Sequence, residues 1–174
     1  ERGSLLSLDS YIQRDKMDVK RFFDVIATYD SMWKNKYYAL PWNLAAYVLL
    51  YNKDRFSEAG LDPNSPPKTW NDLLEYSRKM TTADKWGVQA PAGVNGFLMF
   101  LKQNGGEYMS RDLTKVHITE KPGVEALQFL VDMIHKHKVS PVPGTTDAVD
   151  LYNGRIAMWY DHNGSLPNFA KFAP

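Results

Sequence analysis

An α/β fold is predicted for this chain by three observations. An unbroken apolar run of strand length, AYVLLY at 46–51, lies in the first third of the chain. Segments with helical periodicity follow it, and the strand-like stretches 86–90 and 155–160 are set between those helices. Strands alternating with helices build α/β layers rather than a sandwich or a bundle.

The elements follow in order. Residues 5–12 read as a loop entering a short helix. Residues 18–30 carry a helical pattern with Phe22, Phe23, Ile26 and Ala27 on one side. Residues 37–41 read as a short strand stopped by Pro41. The 46–51 run suits a strand buried on both faces. A short helix over 54–59 ends at Gly60, and 62–67 (DPNSPP) must be a loop. Thr69 is a good N-cap with Asp72 three residues on, and Trp70, Leu73, Leu74 and Ser77 follow at helical spacing. After the 86–90 strand comes a helix over 95–103, closed by the turn Asn104-Gly105-Gly106. Residues 122–138 form the clearest helix, with Pro122 near its first position and a buried stripe of Val124, Leu127, Val131 and Ile134. A short helix near 146–152 and a strand over 155–160 complete the set. No strand leads the first 35 residues and the chain stops soon after a strand, so an incomplete domain is expected.

Composition narrows the function. The chain has 174 residues, enough for one compact domain or one large lobe. With 44% hydrophobic and 24% charged residues it can build a packed core. Its 21 basic and 20 acidic residues nearly balance, which excludes the concentrated basic face that nucleic acid requires. There is no cysteine, hence no disulfide, thiolate metal site or Cys nucleophile. No apolar run approaches 18 residues, so no membrane-spanning helix is predicted. The opening Glu1-Arg2-Gly3-Ser4 has no Met and no signal-peptide pattern, so any export signal is expected to be removed or to lie upstream. Aromatic content of 13% fits either a tyrosine-rich core or aromatic platforms in a ligand cleft.

Motifs for catalysis are lacking. His135 and His137 are two apart on a helix and point to different sides, so they do not form the i,i+4 pair of zinc sites. No Gly-Lys-Ser/Thr, G-x-G-x-x-G or G-x-S-x-G occurs. Asn163-Gly164-Ser165 reads as a turn. Carboxylates are plentiful, but spacing along a chain does not pair two of them across a glycosidic bond.

A resemblance adds what these patterns do not. The stretch 38–52 (YALPWNLAAYVLLYN) continues as Lys53-Asp54-Arg55-Phe56-Ser57-Glu58-Ala59-Gly60-Leu61, then Pro66-Pro67-Lys68-Thr69-Trp70. Gln103-Asn104-Gly105-Gly106, the helix VEALQFLVDMI at 124–134 and Asn153-Gly154-Arg155-Ile156-Ala157-Met158 follow in the same order. Together they resemble the extracellular solute-binding proteins of family 1, the maltose-binding-protein-like receptors of ABC sugar importers.

That resemblance implies a type II periplasmic-binding-protein fold, with residues 1–41 as the end of the first lobe and 42–174 as most of the second. It implies a protein that traps a sugar or polyol by lobe closure, with no catalysis and no cofactor. It implies delivery to an ABC-transporter permease, and a monomer in the periplasm or outside the cell on a lipidated N-terminus. It places ligand contacts just before the YNKD motif, at the helix leading to the Gly-Gly turn, and after Ala157-Met158. The residues so nominated are Trp42, Asn43, Asn95, Phe97, Trp159, Asp161, His162 and Asn163. Ala45 stands where the maltose pattern has an acidic residue.

A hydroxyl-rich ligand needs Asp, Asn or His partners and an aromatic face for its C–H surface, and these residues supply both. Each also has a structural reading. Trp42 plugs a hinge, Asn43 caps a turn, Asn95 caps a helix, and Asp161 caps the next one. Alternation leaves only one of Trp159 and Tyr160 facing a cleft. Trp33, Trp70 and Trp86 are expected in packing. The rival functions are a receptor for another solute such as glycerol phosphate or a peptide, a glycoside-processing enzyme, and a fragment that binds nothing alone.

Overall fold

The structure, a computed structural model, describes residues 4–22, 31–42, 45–110 and 112–172. The chain divides into two compact units, residues 1–46 and 47–174, and the sequence-based lobe boundary at 41/42 lies inside the first.

The first unit holds helix α1 (Asp9–Arg14), a 3₁₀ turn at Val19–Arg21 capped by the Asp18 carboxylate, and a small hairpin of β1 (Met32–Trp33) and β2 (Lys36–Tyr37). Lys34 and Asn35 take φ of 47° and 60° at the hairpin turn, the left-handed pair that a two-residue connection demands. The strand expected over 37–41 therefore ends at Tyr37. Of the helical pattern expected over 18–30, only the 3₁₀ turn falls within the described residues; Phe23, Ile26 and Ala27 lie outside them. Trp33 is not core: it is 43% exposed, with the Lys34 ammonium 5.8 Å from its ring.

The second unit is built on β3 (Tyr47–Tyr51), paired antiparallel with β4 (Met158–His162) in the register Tyr47–His162 to Tyr51–Met158. Residues 86–89 run parallel beside β4 through bridges Trp86–Ile156 and Gln89–Trp159. Beyond them the Val88 amide donates to the Val139 carbonyl at 3.2 Å. The 46–51 run is thus a strand, but not one buried on both faces. It forms one side of its sheet, and Tyr47 and Val48 are 48% and 40% exposed.

Helix α2 (Lys53–Glu58) starts at Asn52, whose side-chain oxygen accepts from the Asp54 and Arg55 amides. The Thr69–Asp72 capping box starts α3 (Trp70–Met80), both of its reciprocal bonds being present. Hydrogen bonds from the Lys68 amide and from Thr69 hold the Asp72 carboxyl below the usual carboxylate range. Helices α4 (Gly93–Gln103) and α5 (Lys121–His135) pack together, and α6 (Ala148–Tyr152) begins with its own Asp147–Asp150 box. A 3₁₀ turn at Asn163–Ser165 leads into α7 (Leu166–Phe172).

The core joins Phe56, Leu73, Val88, Phe100, Ala126 and Met158, from the helices and the sheet alike. One expectation fails instructively. The inward face of α5 carries Gly123, Ala126, Leu130 and Met133, whereas Val124, Leu127 and Val131 are 40–56% exposed. Both sets have helical spacing and lie one residue apart, about 100° around the axis. Close approach selects between them. A Cβ on Gly123 would sit 2.0 Å from the Ile118 carbonyl oxygen, so only the small-residue face fits.

Candidate functional site

Strand β4 positions the site through its alternation. Met158 and Tyr160 face the core together with Leu49 and Tyr51, and Tyr160 meets Phe100 edge-on at 5.5 Å. Trp159 and Asp161 point the other way, as a period of two requires. β4 begins and ends two or three residues later than the 155–160 prediction, so Asp161 lies within the strand, paired with Val48, and caps no helix.

At the end of this strand pair a cavity of about 520 Å³ opens within the second unit. Its walls include Tyr47, Gln89, Asn95, Trp159, Tyr160 and Asp161, with Pro141, Pro143 and Gly144 beneath. A second hollow of about 330 Å³ adjoins it across Trp159 and Leu151, under Phe169 of α7.

The turn Pro91-Ala92-Gly93 brings the start of α4 into the cavity wall. Gly93 has φ of +78°, a conformation that a side chain rarely adopts. Gly96 is pressed against Pro91, whose Cβ would lie 2.7 Å from a Cβ added there. Helix α4 starts at Gly93, two residues before the predicted 95, and its N-cap Ala92 offers no side-chain cap. Its first turn thus lacks a side-chain cap at the positive end of the helix dipole, and residues 92–96 line the cavity.

Trp159 is 7% exposed, and its indole Nε1 is buried without a hydrogen-bond partner among the described residues. An unpaired buried donor costs about 1–3 kcal/mol, which makes this N–H a natural contact for a ligand. The ring packs at a tilt of 39° against Phe169, with centroids 4.9 Å apart. Asp161 is the only charged side chain lining the cavity among the described residues. Its Oδ1 accepts from the His162 amide at 2.7 Å. Burial pushes the Tyr160 hydroxyl up to about 12, so it stays neutral at any physiological pH.

Of the eight nominated residues, three line this cavity: Asn95, Trp159 and Asp161. Phe97 does not, because its side chain packs against the core. His162 lies edge-on to Tyr47 at 6.2 Å, with Nδ1 buried and unpartnered, outside the lining. Asn163 is exposed in the 3₁₀ turn. Trp42 belongs to the first unit and is 91% exposed; Asn43 lies outside the described residues. Tyr47, Gln89 and Tyr160 are lining residues that pattern reading did not nominate. The parallel bridge from Gln89 to Trp159 carries Gln89 to the site, and no local motif reports such a pairing.

No group of three or more His, Cys, Asp or Glu side chains among the described residues could hold a metal ion. No helix among them is long and apolar enough to cross a membrane.

Comparison with known proteins adds the following. The model of the family described as bacterial extracellular solute-binding protein matches residues 1–174. Among curated proteins, the sn-glycerol-3-phosphate-binding periplasmic protein UgpB of Shigella flexneri is 30% identical over 171 residues, which cover 91% of this chain and 38% of that protein. Among solved structures, the ABC substrate-binding protein Lmo0181 from Listeria monocytogenes, in complex with cycloalternan, superposes with a TM-score of 0.88 at 32% identity, covering 99% of this chain and 46% of that one. A solute-binding protein of an ABC transporter from Thermotoga lettingae, bound with α-D-tagatose, gives 0.79 at 27% identity over 99% and 46%. The chain spans less than half the length of each of these relatives, and its fold is part of a type II periplasmic binding protein.

Proposed function

This chain belongs to the bacterial extracellular solute-binding proteins, and from that premise we propose that it captures a sugar or polyol outside the cytoplasm and hands it to the permease of an ABC transporter. The cavity chemistry carries the proposal. One wall combines aromatic rings, a carboxylate, an indole N–H unpaired among the described residues and the uncapped start of a helix. A polyhydroxylated solute needs that mixture, because each hydroxyl both donates and accepts while its C–H face is apolar.

In this reading residues 1–41 end one lobe and 42–174 make most of the other. Asn95, Trp159 and Asp161 contact the solute, joined by Tyr47 and Gln89. Trp42 and Asn43, which open the second lobe in this reading, are nominated as further ligand contacts. The protein acts as a monomer in the periplasm or tethered outside the cell, and it releases its ligand unchanged. Closure of the lobes excludes water, and the ligand need only favour the closed state over the open one.

The family also holds receptors of phosphorylated polyols, as the Shigella relative's name states. The uncapped start of α4 gives that second reading a foothold, since helix N-termini attract anions.

Thermal unfolding of the full-length protein against polyols, monosaccharides and disaccharides tests the proposal. A true ligand at a hundred times its Kd adds about 2.7 kcal/mol of stability. A flat response across all three classes would refute solute capture of this kind. Release of new reducing ends from an oligosaccharide would refute the non-catalytic role.

A further inference from the structure

We infer that Arg78 and His137 form an acid-sensitive latch, which holds the floor of the cavity in place at neutral pH and lets go when the imidazole takes a second proton. The inference does not depend on which solute the cavity takes.

The two residues lie 59 positions apart and meet from different elements. Arg78 stands in the last turn of α3, and His137 follows the end of α5. The Arg78 guanidinium donates from Nη2 to His137 Nδ1 at 2.9 Å. A guanidinium has donors and no acceptor, so Nδ1 must offer its lone pair and the ring proton sits on Nε2. A second proton would occupy Nδ1. The bond then becomes a contact between two donors and two cations. The charged groups around the ring are Arg78 from α3, and Asp132 and Lys136 from α5. Burial, then Arg78 and Lys136, hold the imidazole below its usual value, against the pull of Asp132. A hydrogen bond from Gln128 keeps the Asp132 carboxyl below the usual carboxylate range, so it stays ionised while His137 titrates.

His137 also begins the segment that floors the cavity. Its amide donates to the Asp132 carbonyl at 2.7 Å. Lys138 follows with φ of 53°, a left-handed conformation uncommon for a residue with a side chain. The Val139 amide donates to the Met133 carbonyl at 2.9 Å, and the Val139 carbonyl accepts from the Val88 amide at 3.2 Å. Ser140 Oγ accepts from the Ala90 amide at 2.9 Å. Pro141, Pro143 and Gly144 then line the cavity, facing Gln89 and Ala90 of the neighbouring segment in the same lining. The latch stands at one end of a short segment and the cavity floor at the other. With the imidazole held neutral, the folded state binds fewer protons than the unfolded chain. The latch's contribution is therefore whole above the ordinary histidine value of 6.5 and is lost as pH falls through the lower folded value.

Amide hydrogen exchange of the full-length protein tests the latch, resolved by residue, corrected for intrinsic rates and compared at pH 7.5 and 5.5. Protection at Val88, Ala90 and Val139 should fall about fivefold at the lower pH, the scale of one solvent-screened hydrogen bond to a charged group. The Leu61 amide, bonded to the Phe56 carbonyl, should keep its protection. His137→Gln retains an acceptor for Arg78 and does not titrate, so its three amides should be protected equally at both pH values. Arg78→Met removes the donor and should show the lower protection at both. His135→Gln, on an exposed residue two positions away, should respond as the native protein does.

A native response reproduced by His137→Gln overturns the assignment to His137. A fall shared by Leu61 means general loosening in acid and overturns the latch. A ring proton found on Nδ1 at pH 7.5 by nitrogen NMR overturns it too, because Arg78 then has no lone pair to bond.

Discussion

Trp70 and Trp159 make an informative pair. Both are large, each packs its ring against a phenylalanine of a helix other than its own element, and both belong to the second unit. Trp70 lies parallel to Phe129 with centroids 4.7 Å apart, and its indole N–H donates to Gln103 Oε1 at 2.8 Å. Trp159 meets Phe169 at a tilt, lines the cavity, and leaves its N–H buried with no partner among the described residues. The first residue is satisfied by the protein alone; the second keeps one demand that only a visitor or a water meets. Packing and binding use the same side chain, and hydrogen-bond accounting separates them.

Four experiments can break or sharpen that contrast. The largest effect is expected at Phe100, which is fully buried and joins the two regions: it contacts Trp70 at 5.2 Å and Tyr160 at 5.5 Å. Phe100→Ala should cost about 3–5 kcal/mol in urea unfolding, the range for deleting a buried aromatic ring. A loss under 1 kcal/mol would mean that the aromatic core does not hold the unit together.

Next comes the alkaline limb of stability. Burial raises the Tyr160 hydroxyl from 10 to about 12, so the folded state favours its neutral form. Its contribution is complete below pH 10 and is lost as pH rises through 12, about 2–3 kcal/mol in all. Urea midpoints measured from pH 9 to 12 should fall more steeply in the native protein than in Tyr160→Phe. Parallel curves would show that Tyr160 is more solvated than the fold indicates.

Smaller effects come from the tryptophans themselves. Trp159→Phe keeps a ring against Phe169 but removes the donor, so ligand affinity should drop about tenfold while unfolding stays cooperative. Trp70→Phe should do the reverse. It forfeits one partly exposed hydrogen bond, about 1 kcal/mol of stability, and should leave calorimetric affinity within twofold. If the two variants affect affinity equally, the distinction drawn from their N–H groups is wrong.

Much of the fold was legible in the residues. The Thr69–Asp72 capping box, the loop at 62–67 and the Gly105-Gly106 turn each follow from local rules, and each stands where those rules put it. Helix α5 was legible as a helix but not in its orientation, because Gly123 and Ala126 look like weak core residues until the Ile118 carbonyl presses against them. The site was legible in part. Family motifs led to Asn95, Trp159 and Asp161, while Gln89 and Tyr47 reached the cavity through strand pairing.

The order of motifs along the chain, and the cap and turn chemistry between them, determined the family and the sequence of elements, since such signals act over a few residues. Tertiary structure alone decided which face of β4 lines the cavity with Trp159 and Asp161 and which meets Phe100, and it set the uncapped start of α4 in the same cavity wall as Asp161. Those are distances between residues far apart in the chain. They are set by which surfaces pack closely enough to exclude water, and no local pattern encodes that.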